Sequence, residues 1–204
     1  MKKKNIEISR HLTGIEEWEE IKESILSGWL TQGPKVRQFE EMFSQYHQAK
    51  YSLATSSCTT ALHLALLANN IGKGDEVIVP AFTWVSTANV VLYCGAKLVL
   101  ADVDKKTFNI CISDVLSKIT NKTKAVIPVH LFGLCVDIDK LKKGLPKTVK
   151  IIEDAACAAG AIYKKKFAGT LGDAAAFSFH PRKSITTGEG GMLTSNNKKF
   201  IIKA

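Results

Sequence analysis

Near the start of the chain, apolar residues recur at helical spacing. Trp18, Ile21, Ile25 and Leu26 fall at i, i+3, i+7 and i+8, and Val36, Phe39, Phe43 and Tyr46 at i, i+3, i+7 and i+10. Each set lines one face of a helix, so two amphipathic helices are predicted. Pro34 after Gly33 opens the second. The pattern then changes to short apolar, β-branched runs at 51–56, 76–80, 97–103, 124–130 and 149–154, which read as strands. Helical stretches separate them: TTALHLALLANN, STANVVLYC, SDVLSKI and DIDKLKKGL. Strands without polar alternation, spaced by helices, predict an α/β domain with a largely parallel sheet covered on both faces. No repeat, low-complexity tract or linker divides it. Sheets of this kind bind ligands beyond the carboxyl ends of their strands, so candidate chemistry is sought where the runs end.

Composition narrows the class without changing that picture. Hydrophobic residues at 46% and charged residues at 23% exclude a disordered chain, a collagen-like repeat and a coiled coil. No apolar stretch reaches the roughly 18 to 20 residues of a membrane-spanning helix. The opening MKKKNIEISRH has lysines but no apolar run behind them, so no secretory leader is expected and a cytoplasmic location is. The net charge of +9 could signal a nucleic-acid or membrane-surface partner. The lysines are instead scattered as Lys2–Lys4, Lys105-Lys106, Lys142-Lys143, Lys164–Lys166 and Lys198-Lys199, which reads as a solvated surface with no nucleic acid and no membrane as partner. Anionic small molecules stay compatible with it. Cys58, Cys94, Cys111, Cys135 and Cys157 form no C-x-x-C pair, and no H-x-x-x-H occurs, so no metal is expected and the thiols read as reduced.

Three strand ends carry candidate chemistry. The run T-S-S-C-T-T at 55–60 places small hydroxylated residues before a helix starting near Thr59. Free amides and the dipole at such a helix start suit a phosphate, and plain N-capping accounts for the same residues. Asp154, after Glu153, closes the run VKIIED. A carboxylate there needs a cation or several donors, or else caps the segment that follows. The segment 172–191 runs an apolar strand into Ser178, His180 and Lys183, then into Gly188, Gly190 and Gly191. A lysine is ordinarily a solvated surface residue. In a partly desolvated pocket its neutral amine can condense with an aldehyde. A phosphate cup, a carboxylate and an amine together match what pyridoxal phosphate requires. Trp84, beyond the strand at 76–80, is either a ring-stacking group or core packing.

These segments, S-F-H-P-R-K-S-I-T-T-G-E-G-G with E-D-A-A, V-P-A-F-T-W-V-S-T-A-N and G-W-L-T-Q-G-P-K-V upstream, resemble the DegT/DnrJ/EryC1/StrS family of sugar aminotransferases. The resemblance covers about Trp29 to Asn196. It implies an aspartate-aminotransferase-like large domain (PLP fold type I), the cofactor pyridoxal 5'-phosphate, glutamate as amino donor, a keto sugar nucleotide as acceptor, and a homodimer. Amino-sugar or surface-polysaccharide biosynthesis is implied with it. By the same resemblance Lys183 is the catalytic lysine that binds the cofactor and shuttles a proton. Asp154 is the partner of the pyridine nitrogen, Trp84 the aromatic over the ring, Ser178 a phosphate ligand, and Cys58 and Thr59 part of the phosphate cup. Cys157 stands where many members carry a glutamine against the cofactor's phenolic oxygen. Thr31, Gly33 and His180 are implied as substrate contacts, and His130 as a residue one layer behind the site. A related dehydratase reaction replaces the lysine with histidine, so Lys183 points to amino transfer. Members continue into a smaller C-terminal domain, absent from residues 1–204, which are expected to hold the N-terminal segment and the cofactor-binding large domain. The alternative is a truncated, catalytically incompetent fragment or partner subunit of this family.

Overall fold

A computed structural model describes residues 12–204. The lysines at 2–4, and the start on which the expectation of no leader rests, lie outside those residues. The described residues open with two helices, α1 (Ile15–Ser27) and α2 (Pro34–His47), and then alternate. Strand β1 (Tyr51–Thr55) leads into α3 (Cys58–Ala68), β2 (Glu76–Pro80) into α4 (Ser86–Tyr93), and β3 (Lys97–Ala101) into α5 (Ile112–Ser117). After β4 (Thr123–Val126) come α6 (Ile138–Gly144), β5 (Lys150–Asp154), a small hairpin of β6 (Ile162–Tyr163) and β7 (Lys166–Phe167), then β8 (Ala174–Ser178), β9 (Gly191–Ser195) and α7 (Lys198–Lys203).

Among the described residues, seven strands form one sheet in the order β1-β9-β8-β5-β4-β2-β3. From β8 to β3 all neighbours are parallel, and β9 alone runs against both β8 and β1. The reason is the connection: β8 reaches β9 through a loop without a helix, and a parallel return needs a crossover. Neither β9 nor the small hairpin is among the strands the apolar runs predict. Two predicted runs end early. That at 97–103 stops at Ala101, with Val103 bridging Ile110, and that at 124–130 stops at Val126, with Val129 touching β5 only at Asp154.

Side chains alternate across the sheet as a two-residue period requires. Val77, Val79, Ala125, Ile127 and Ile152 pack against α3 and α4, while Ile78, Val126 and Ile151 pack against α6 on the other face. A third cluster seats Phe43 of α2 against Phe177, Phe179 and Met192. Gly169 holds φ at +95° in this cluster, where an added Cβ would strike the Phe177 ring. The helix predicted at Trp18–Leu26 is present, but α1 buries no residue; Trp18, Ile21 and Ile25 are all more than half exposed. Its apolar stripe finds no partner among the described residues. No helix among them is long and apolar enough to cross a membrane.

Candidate active site

Parallel strands deliver their carboxyl ends to one edge of the sheet, and β9, entering from that edge, puts Gly191 opposite both Thr55 and Ser178. An added Cβ at Gly191 would press on the backbone of Ser57 and come 2.6 Å from the Cys58 nitrogen. Only glycine lets β9 pass directly beneath the start of α3. There the Ser57 hydroxyl accepts the Thr60 amide at 3.1 Å, and the Ala61 amide bonds the Ser57 carbonyl. The next two amides inward, those of Cys58 and Thr59, remain for an anion at the positive end of an 11-residue helix. Ser57 thus serves as the N-cap that the sequence also allowed, and the cup sits beside the cap rather than in place of it.

Asp154 ends β5 at 5% exposure. Its Oδ2 accepts the Thr87 hydroxyl at 2.8 Å, its Oδ1 the Ala156 amide at 3.1 Å, and the Cys58 thiol lies 4.0 Å from Oδ1. Burial pushes this carboxyl above the ordinary aspartate range, and Thr87, Ala156, Lys183 and His130 pull it part of the way back. Burial, with the Asp154 charge behind it, also pushes the Cys58 thiol well up, so it stays a protonated donor. Across the site, a turn closed by the Lys183 amide on the His180 carbonyl at 2.9 Å directs Lys183 inward. Its Nζ donates to Cys157 Sγ at 3.2 Å.

Adjacent residues of β5 point to opposite faces, and Glu153 shows what a fully satisfied carboxylate looks like here. It is entirely buried and accepts His130 Nε2 at 2.8 Å and the amides of Gly169, Leu171 and Gly172 at 2.9, 2.8 and 2.6 Å. The His130 Nδ1 accepts the Val136 amide at 3.1 Å, so Nε2 carries the ring proton. Asp154 has fewer and weaker donors than its neighbour and faces the open edge. A cationic ring nitrogen beside Asp154, a phosphate on the Cys58 and Thr59 amides and an aldehyde near Lys183 Nζ match this donor set, so the residues fit pyridoxal phosphate.

The structure therefore brings Cys58, Asp154, Cys157 and Lys183 together, with Thr59 at the cup and Ser178 at the neighbouring strand end. The Ser178 hydroxyl accepts the His180 amide at 3.3 Å, and His180 Nδ1 accepts the Arg182 amide at 3.2 Å. Trp84 lies in the turn after β2 with its side chain 75% exposed, packed into no core. Thr31 and Gly33 sit apart, in the connection between α1 and α2, with no hydrogen bond to the cluster; the Trp29 indole bonds the Gln32 carbonyl there at 3.1 Å. Sequence reasoning missed Thr87, which is wholly buried and makes the shortest bond to Asp154. The only signal for it was a hydroxyl three residues after Trp84 at a helix start. It also missed that Glu153 ties three amides of the 169–172 turn to His130.

Comparison with known proteins points to one family. The profile of the DegT/DnrJ/EryC1/StrS aminotransferase family matches residues 12–204. The chain is 46% identical over 193 residues to the spore coat polysaccharide biosynthesis protein SpsC of Bacillus subtilis, covering 94% of this chain and 50% of that protein. It is 48% identical over 177 residues to GDP-perosamine synthase of Caulobacter vibrioides, covering 86% of this chain and 48% of that one. The solved aminotransferase from Psychrobacter cryohalolentis superposes with a TM-score of 0.89 at 38% identity, over 95% of this chain and 50% of that structure. The chain thus spans about half the length of the curated relatives it matches.

Proposed function

The chain belongs to the DegT/DnrJ/EryC1/StrS aminotransferase family, and from that premise we propose that it forms the cofactor-binding domain of a pyridoxal-phosphate-dependent sugar aminotransferase. The donor in this reading is glutamate and the acceptor a keto sugar nucleotide, in amino-sugar or surface-polysaccharide biosynthesis. The observation that carries it is the convergence of Asp154, Lys183 and the two open amides of α3 on one sheet edge. SpsC and GDP-perosamine synthase, named for polysaccharide and GDP-sugar chemistry, support the substrate class. The smaller domain and a second subunit, which the resemblance implies, would complete the site.

The cofactor, when bound, supplies an aldehyde to carry the amino group and a ring that accepts electrons. The protein's part is positional and electrostatic. The Cys58 and Thr59 amides would hold the phosphate, with the Ser178 hydroxyl as a further ligand. Asp154 keeps a proton on the ring nitrogen; its low solvation makes that charge pairing strong. Lys183 Nζ would supply the amine that holds the aldehyde and would move the substrate proton. Cys157 Sγ accepts a hydrogen bond from Nζ and so orients it. Trp84, exposed in the turn after β2, would cover the ring face. Lysine at 183, not histidine, favours amino transfer over dehydration.

The test is a visible absorbance spectrum of the protein with pyridoxal phosphate, with Lys183→Ala alongside. The reading expects a lysine-bound cofactor band that shifts on adding glutamate, is missing in the variant, and accompanies amination of a keto sugar nucleotide. A band unchanged by Lys183→Ala, or deoxygenation of the sugar without amination, would overturn it.

A further inference from the structure

Thr87 occupies the second position of α4 with no solvent exposure, and its Oγ1 lies within hydrogen-bond distance of three other oxygens. These are Asp154 Oδ2 at 2.8 Å, the Trp84 carbonyl at 3.1 Å and Thr83 Oγ1 at 3.0 Å. A hydroxyl has one proton and two lone pairs, so it cannot donate to Asp154 and Trp84 together. We propose that the Thr87 hydroxyl is a one-proton link that couples the charge on Asp154 to the turn carrying Trp84, making Thr87 a positioning residue for both.

The two states follow from counting donors. An ionised Asp154 can only accept, so Thr87 gives it the proton and in turn accepts from Thr83. The Trp84 carbonyl then keeps only the Thr87 backbone amide, at 3.1 Å. A protonated Asp154 becomes a donor to Thr87 Oγ1, and the Thr87 proton turns to the Trp84 carbonyl. The turn at 81–85 thus gains or loses one hydrogen bond with the charge on Asp154, 67 positions from Thr87 in sequence. Trp84 is poised to respond because it is largely exposed.

Other groups also face Asp154. The Cys58 thiol approaches from α3, Lys183 from the loop after β8 with Cys157 beside it, and His130 from the segment after β4. None of these shares a hydrogen with the Trp84 turn, so Thr87 is the route by which the charge reaches it. Its consequence for catalysis rests on the function proposed above: a cationic ring nitrogen would hold Asp154 ionised and the Trp84 turn in its one-bond state. The link itself needs no cofactor, so it and that function can fail separately.

The experiment follows tryptophan emission against pH, from neutral to mildly acidic, in the cofactor-free full chain with every other tryptophan replaced by phenylalanine. Circular dichroism at each pH confirms that the protein stays folded. The expected result is one titration of Trp84 emission that Asp154→Asn abolishes, Thr87→Val abolishes and Thr87→Ser preserves. Thr87→Ala, which also lacks the hydroxyl, serves if the valine variant does not fold. A merely structural Thr87 would lower the melting temperature and leave the titration in place. The proposal is overturned if the emission does not titrate with Thr87 present, if the titration survives Asp154→Asn, or if it persists without the Thr87 hydroxyl.

Discussion

Replacing Glu153 with glutamine keeps the size of a fully buried side chain and halves what it can accept. In the native protein Oε1 takes the amides of Leu171 and Gly172, and Oε2 takes the Gly169 amide and His130 Nε2. A glutamine has one carbonyl oxygen and one amino group, so whichever way it turns, two of the four donors face another donor. Each buried donor left without an acceptor costs roughly 1–3 kcal/mol, which places the substitution at about 2–6 kcal/mol. For a chain of this size each kcal/mol moves the melting temperature by roughly 2–4 °C, so a drop on the order of 10 °C is expected. The assay is thermal or urea unfolding at neutral pH, with His130→Gln and the double variant to close a cycle. The two residues share a direct bond, so the cycle should show a coupling of about 0.5–3 kcal/mol. A loss for Glu153→Gln below about 1 kcal/mol, within the worth of a single ordinary hydrogen bond, would refute the view that this carboxylate anchors the 169–172 turn.

Three other outcomes follow from the same geometry. Gly191→Ala puts a Cβ against the Ser57 and Cys58 backbone; displacing the two open amides should weaken pyridoxal phosphate binding about tenfold or more, an effect of about 1.4 kcal/mol, read by cofactor titration. His47 must be neutral to accept the Gly160 amide at Nε2, 3.1 Å, while Nδ1 bonds the Phe43 carbonyl, 3.3 Å, and burial lowers its pKa. The unfolded chain then binds the extra proton first, so this stability is complete above the unfolded value of about 6.5 and is lost as pH falls through the lower folded value; urea midpoints should decline on acidification, and less steeply in His47→Gln. Phe177→Ala empties a site walled by Phe43 and His47 at ring distances of 5.0 Å and should cost about 3–5 kcal/mol by urea unfolding.

The amino-acid sequence by itself determined the local elements and the order of the candidate site residues along the chain. Apolar period and β-branched runs are properties of neighbouring residues, which is why β1, β2 and β5 and the helices between them were legible within a residue or two. So were Lys183, Asp154 and the hydroxyl-rich start of α3, because each closes or follows such a run. Tertiary structure alone decided what depends on residues far apart. The strand β9 was hidden because Gly-Met-Leu-Thr-Ser takes its meaning from pairing with β1 and β8 on either side. The approach of Lys183 to Cys157, the Thr87 bond to Asp154 and the four donors around Glu153 join segments 16 to 67 residues apart. No pattern of spacing encodes them. Hydrogen bonds act over about 3 Å in space, and only the folded sheet brings those atoms within that range.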